Sequence, residues 1–289
     1  MRTELGEAIR LLRTGEAPDV QRALELLRRT VLSFGMKVCG QQEDAEDTAQ
    51  EVLVRALPYL ARLDDPQALS AWLYTAAKNR CWQGRRRATY RKAIALEGLI
   101  PDDTELHALQ LTDPAANPES AALSRQDHQM LHQAVLALPP QYRIVLVLHD
   151  MEEMETEMVA KILSLQAGTV RVRLHRARLL VRKEMGKLLQ RPSGPQRRKR
   201  SRVRRPAECR EIFANLSEYL DGKMEAESCE RMRSHIEACA PCVAFIADLK
   251  RAIDRCRALD VRLKGEAQPV LRRLLTREYL RLKNSSQNL

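Results

Sequence analysis

The chain has 289 residues, a net charge of +11 and a pI near 9.5, with 44% hydrophobic but only 4% aromatic residues. That length allows two or three small domains, and the charge suits a polyanionic partner. No apolar run approaches the roughly 18 residues of a membrane span, and the opening MRTELGEAIRLLRTGE lacks the apolar core of a signal peptide, so a cytoplasmic place is expected.

Leu, Ala, Arg and Glu dominate and no alternating run marks a strand, so the expected fold class is all-α. Residues 1–19 form a helical lead-in with Leu5, Ile9 and Leu12 on one side. Residues 20–95 form a compact helical unit. One helix is expected over Val20–Val38, stopping at Gly40. The next starts near Glu43, with Ala45, Ala49, Val52 and Ala56 inward and Asp44, Asp47, Thr48, Glu51 and Arg55 outward. Pro58 should kink it or end it a turn early.

After the turn at Asp64-Asp65-Pro66 comes SAWLYTAAKNRCWQGRRR. Leu69, Trp72, Leu73 and Ala76 can pack inward. Asn79, Arg80, Arg85, Arg86 and Arg87 make its far end basic, as phosphate contacts require. Trp72 and Tyr74 suit stacking on unpaired bases, although for Trp72 burial in a helical bundle is the favoured reading.

Residues 96–119 carry prolines and acids and read as a linker. Residues 120–190 hold LPPQYRIVLVLHDMEEMETEMVAKILSLQAGTVRVRLHRARLLVRK, read as short helices, a break at Ser164-Leu165-Gln166, and a long basic helix. In the basic helix Val170, Leu174, Ala177 and Val181 make one stripe, and Arg171, His175, Arg178 and Arg182 make the opposite row, flanked by Arg173 and Arg176. A helix-turn-helix presents such a row to the major groove. Residues 191–206 carry eight positive charges and no acid, leaving about +3 for the rest. They suit a disordered tether or a DNA-backbone contact.

Residues 207–289 hold the cysteine–histidine cluster. His235 and Cys239, four apart and expected on one helix, form H-x3-C-x2-C with Cys242, and Cys209 can close a fourth position. Three thiolates and an imidazole suit tetrahedral Zn2+. Cys229 is a rival ligand, while Cys39, Cys81 and Cys256 read as packing cysteines.

The motifs LPPQYRIVLVLHD and GTVRVRLHRAR resemble region 4 of the bacterial extracytoplasmic-function sigma factors, with Ser164 standing where the family carries glycine. The order DAED, QEV, RA, WLY and Asn79 resembles region 2 of the same family. Tyr219-Leu220-Asp221-Gly222 with H-x3-C-x2-C resembles the zinc-finger of zinc-binding anti-sigma factors.

The resemblance implies two helical sigma modules and a zinc-stapled helical domain. It implies core RNA polymerase and promoter DNA as partners, with Asp44, Asp47, Gln50 and Glu51 on polymerase. The helix 71–87 would open and read the promoter. Gln166 and Thr169 would join Arg171, Arg173, His175 and Arg176 on DNA. It also implies a last helix, Pro269–Lys283, that lays Val270, Leu271, Leu274, Leu275 and Leu282 against the sigma modules. The function implied is transcription initiation, regulated by the C-terminal zinc domain through contact within the chain. A stand-alone helix-turn-helix regulator and a thiol or zinc redox sensor are the competing readings. Catalysis is not expected: His128, His149 and Asp150 lie in helical stretches with no nucleophile elbow or phosphate loop.

Overall fold

In the computed structural model, residues 3–62, 65–83, 118–189, 216–259, 261 and 269–287 are described, and every regular element among them is helical. Among these residues no helix is long and apolar enough to cross a membrane. Arg85, Arg86, Cys209 and the tether 191–206 lie outside the described residues. The chain divides into two compact units, one of residues 1–90, 152–165 and 260–289, the other of 91–151 and 166–259. Each therefore gathers segments from more than one of the modules expected from sequence.

The first unit contains α1 (Thr3–Thr14), α2 (Ala17–Cys39), α3 (Gln42–Leu60), α4 (Pro66–Gln83), α7 (Thr156–Leu163) and α11 (Pro269–Gln287). Its core is Leu5, Ile9 and Leu12 with Leu24, Leu27, Val31, Phe34, Leu53, Leu57, Leu69 and Leu73. Gly40 ends α2 in the left-handed region at φ 79°, its N–H donating to the Met36 carbonyl. Asp65 caps α4, accepting from the Gln67 N–H at 2.9 Å and the Ala68 N–H at 3.2 Å.

Three expectations are corrected here. Helix α3 runs through Pro58 to Leu60, so the early end is not found. Pro58 cannot donate to the Val54 carbonyl, but both residues are exposed, so solvent can reach that carbonyl. Thr48 is buried, not outward, with its hydroxyl 3.8 Å from Cys81 Sγ. Cys39 and Cys81 are not independent packing cysteines. Helices α2 and α4 bring their Cα atoms to 6.1 Å, and the two sulfurs are bonded.

Helix α11 packs on α2 and α3. Its buried stripe is Leu275, Thr276 and Tyr279, while Val270 and Leu274 are exposed. The rotation away from the expected apolar side has a polar cause. Tyr279 Oη donates to the Leu12 carbonyl at 3.1 Å, and Lys283 Nζ donates to the Leu12 and Arg13 carbonyls at 3.0 and 2.9 Å. These are carbonyls left open at the C-terminal end of α1.

Segment 152–165 is anchored by charge. Glu152 accepts from Lys37 Nζ at 2.8 Å and from Tyr74 Oη at 2.6 Å, and the Lys37 and Glu152 side chains are both fully buried. Lys78 Nζ donates to the Ile162 carbonyl at 2.8 Å, and burial lowers its pKa.

The second unit contains α5 (Pro118–Ala137), α6 (Pro140–Leu146), a π-helical turn (Val147–Met151), α8 (Ala167–Leu189), α9 (Ala226–Ala238) and α10 (Ala240–Ala258). The expected stripe of α8 is buried as read: Val170, Leu174, Ala177 and Val181 join Tyr142, Ile144, Val145 and Leu148 in the core.

Removing one partner of a buried ion pair strands the other, so Glu152→Ala should lower the unfolding free energy by about 3–5 kcal/mol. Lys37→Met combined with Glu152→Leu should lose clearly less, because no charge is left stranded. Urea unfolding of both variants checks this, and equal losses would remove the ion pair as the anchor.

Candidate nucleic-acid interface and metal centre

Two chain reversals, one at the end of α7 and one at residues 216–222, are Schellman ends. At the end of α7, Ser164 stands in the left-handed region at φ 55°. Its N–H donates to the Lys161 carbonyl at 3.3 Å, and the Leu165 N–H donates to the Ala160 carbonyl at 2.9 Å. A serine there is strained where glycine would not be. At residues 216–222, the Gly222 N–H donates to the Tyr219 carbonyl at 3.1 Å and the Lys223 N–H to the Glu218 carbonyl at 3.0 Å. Gly222 has φ 65°, so the glycine of the YLDG motif is the helix-stopping residue, and Asp221 is the last residue before it.

Asp221 meets α8. Arg178, whose side chain is fully buried, donates to Asp150 through Nε at 2.8 Å and Nη2 at 2.6 Å, and to Asp221 through Nη1 at 2.9 Å and Nη2 at 2.8 Å. One guanidinium thus grips two carboxylates. Burial alone would raise the Asp150 carboxyl, but hydrogen bonds and charge from Arg178, with His149, outweigh it and hold the pKa at about 2. Burial works against the Arg178 charge too, and the two carboxylates push its pKa up instead. One turn either side, His175 Nδ1 lies 2.9 Å from Ser217 Oγ, and Arg182 lies 3.6 Å from Asp248 and 4.3 Å above the Phe245 ring.

The expected solvent-facing row is therefore corrected. Of Arg171, His175, Arg178 and Arg182, only Arg171 is exposed. The reason is that the face carries partners from residues 216–221 and from α10. What remains open is the start of the helix and the residue before it: Gln166, Gly168, Arg171 and Val172 are exposed, with Thr169, Arg173 and Arg176 half-buried. That is the part of a recognition helix that meets base edges.

In the first unit, Asp44, Asp47 and Gln50 lie exposed on α3. Glu51 is half-buried and paired with Arg55 at 2.6 Å and with Arg80. Asn79 is exposed. Trp72 is half-buried, its ring 5.0 Å from that of the exposed Tyr59. Tyr74 is corrected: it is 2% exposed, edge-on to Phe34 and bonded to Glu152, and offers no face for stacking.

The metal-ligand set draws on α9 and α10. Cys239 is not on the helix of His235; it is the junction residue between α9 and α10. Its carbonyl accepts from the Cys242 and Val243 N–H groups at 2.9 and 3.1 Å, which places Cys242 in the first turn of α10. One ligand atom each of His235, Cys239 and Cys242 lies within 4.8 Å of the others, and His235 Nε2 is 3.7 Å from Cys242 Sγ. An edge of a tetrahedral zinc site with these donors measures about 3.6 Å, so the three residues fit the ion. Cys229 is not in this group. Cys256 is buried, and burial pushes its thiol up, which keeps it protonated.

Residues 23–91 match the model described as "Sigma-70 region 2", and residues 128–181 match "Sigma-70, region 4". Residues 209–242 match "Putative zinc-finger". The chain carries both sigma-70 modules and a zinc-finger module. Among its relatives is the ECF RNA polymerase sigma factor SigW of Bacillus subtilis, 26% identical over 64% of this chain and 98% of its own length. Another is ECF RNA polymerase sigma factor SigE of Mycolicibacterium smegmatis, 30% identical over 60% of this chain and 65% of its own. A third is the RNA polymerase sigma-H factor of Pseudomonas aeruginosa, at 28%, 58% and 89%. The region 4 module spans Asp150 and Arg178, and the zinc-finger module spans Asp221, so the guanidinium joins residues of both.

The depressed Asp150 pKa makes a sign-definite prediction. Its contribution is fully present above the ordinary value of 3.8 and is lost as pH falls towards about 2. That difference corresponds to roughly 2 kcal/mol. Stability of the wild type should fall by about that much between pH 5 and pH 2, and the Asp150→Asn variant should lose this part of the pH dependence. Chemical denaturation at a series of pH values reads both.

Proposed function

We propose that the chain is a transcription initiation factor: it binds core RNA polymerase and directs it to particular promoters, leaving the chemistry to the polymerase. The observation that carries this is the pair of sigma-70 region matches, supported by an exposed strip at the start of α8 that is free to meet DNA. A stand-alone DNA-binding regulator would have no need of region 2. As an initiation factor it would work beside polymerase in the cytoplasm.

In this reading Asp44, Asp47, Gln50 and Glu51 dock on polymerase. Trp72, Asn79, Arg80, Arg85 and Arg86 serve the melted promoter, and Gln166, Thr169, Arg171, Arg173 and Arg176 serve the duplex, with His175 reachable once Ser217 leaves it. Cys209, His235, Cys239 and Cys242 hold one Zn2+, which would contribute on the order of 10 kcal/mol to folding a domain with little core of its own. The modules follow the divisions 20–95, 120–190 and 207–289, with 1–19 as a lead-in and 96–119 and 191–206 as connections.

The C-terminal domain regulates the sigma modules of its own chain. Asp221 and Asp248 present carboxylates to Arg178 and Arg182, the kind of charge that DNA phosphates would present to the same helix. A tether of residues 191–206 holds such a contact at an effective concentration near millimolar, so even a weak one is mostly made.

The test is in vitro transcription with core polymerase, comparing the full chain with one ending at Arg191. Equal output at every promoter would remove the regulatory part. Asp47→Lys with Glu51→Lys should abolish co-purification with core polymerase while helicity is unchanged, and retained binding would count against the initiation reading itself. Arg171→Ala should weaken promoter binding by about 1–3 kcal/mol if it reads a base, with selectivity relaxed at that position.

A further inference from the structure

The Cys39–Cys81 pair belongs to none of the roles above. It lies in the first unit, whereas His235, Cys239 and Cys242 lie in the second. Cys39 is the last residue of α2, and Cys81 is in the last turn of α4. The Cα atoms stand 6.1 Å apart across 42 residues of sequence, inside the span that a disulfide bridges. Both residues are buried, at 3% and 6% exposure. The Thr48 hydroxyl, itself buried, sits 3.8 Å from Cys81 Sγ.

We propose that Cys39 and Cys81 are a reversible dithiol–disulfide site whose oxidant is a small hydroperoxide. Two cysteines whose backbone positions allow a bridge, in a protein of a reducing compartment, are usually redox-active, not structural. The compartment rests on the initiation reading; the geometry does not. Burial selects the oxidant, since hydrogen peroxide can reach a covered sulfur where a tripeptide disulfide cannot.

The chemistry balances. One thiolate attacks a peroxide oxygen, the O–O bond breaks, water leaves after protonation, and the sulfur becomes a sulfenic acid. The second thiol then attacks that sulfur and a second water leaves. In sum, two thiols and one hydrogen peroxide give one disulfide and two waters. A dithiol reductant reverses it by exchange. The Thr48 hydroxyl is placed to donate to the Cys81 thiolate, which makes Thr48 a positioning residue. The cross-link ties the last turn of α2 to the last turn of α4, which precedes Arg85-Arg86-Arg87 in the sequence.

The experiment uses the full-length, zinc-loaded, reduced chain. It is exposed to hydrogen peroxide, quenched with N-ethylmaleimide in denaturant, digested and mapped by mass spectrometry, with zinc release followed in parallel. The expected result is a Cys39–Cys81 peptide about 2 Da lighter than the two thiol peptides together, reopened by dithiothreitol. Glutathione disulfide should form the bridge more slowly than the peroxide. Thr48→Val should slow formation about tenfold, the loss expected for one hydrogen bond to a charged sulfur. The melting temperature should rise on oxidation of the wild type and not of Cys39→Ser. The proposal is overturned if both cysteines remain fully alkylated at a peroxide dose that already releases zinc, or if either joins a different cysteine. No polymerase enters the mapping, so its failure leaves the initiation reading standing, and failed co-purification leaves this site standing.

Discussion

The second unit is organised by one guanidinium. Arg178 is withdrawn from water together with Asp150, and such a charge is tolerable only if its donors are satisfied. Five donors in a planar fork can do this with two carboxylates, which lysine could not. Asp150 comes from the π-helical turn after α6, and Asp221 from the glycine-stopped turn of the YLDG segment. The arrangement demands that both turns be in place at once. It also fixes the rotation of α8, and that rotation decides which side chains at its start reach solvent.

The first unit has a counterpart in Glu152. Its carboxylate satisfies Lys37 on α2 and Tyr74 on α4, so three segments far apart in sequence share one buried site. Apolar packing alone is less selective about the register between helices, because a core of the right volume and pattern can repack at modest loss. A buried ion pair is not permissive, since a displacement of even a turn would strand a charge. The Lys283 and Tyr279 contacts to the open end of α1 act in the same way on α11.

These two clusters also explain how a basic chain manages its surface. The arginines most conspicuous in sequence are not all available to a polyanion. Arg178 is committed to carboxylates, and Arg182 lies over Phe245 beside Asp248. Along the row Arg171, His175, Arg178 and Arg182 only Arg171, in the first two turns of α8, stays open, which gives a small site with definite chemistry instead of a diffuse basic face.

The amino-acid sequence by itself determined the helical class, the buried stripe Val170–Leu174–Ala177–Val181, the turn at Ser164, the acidic outward side of α3 and the H-x3-C-x2-C triplet. All of these are local: a period of 3.6, a capping residue or a ligand spacing is written within a few residues. Periodicity says which residues share a face but not what covers that face. Only the tertiary structure decided that His175, Arg178 and Arg182 are occupied, that Tyr74 points inward, that Cys39 meets Cys81, and that α11 turns Val270 and Leu274 outward. Their partners lie tens to hundreds of residues away along the chain, and a contact at that separation leaves no mark on the pattern around either residue.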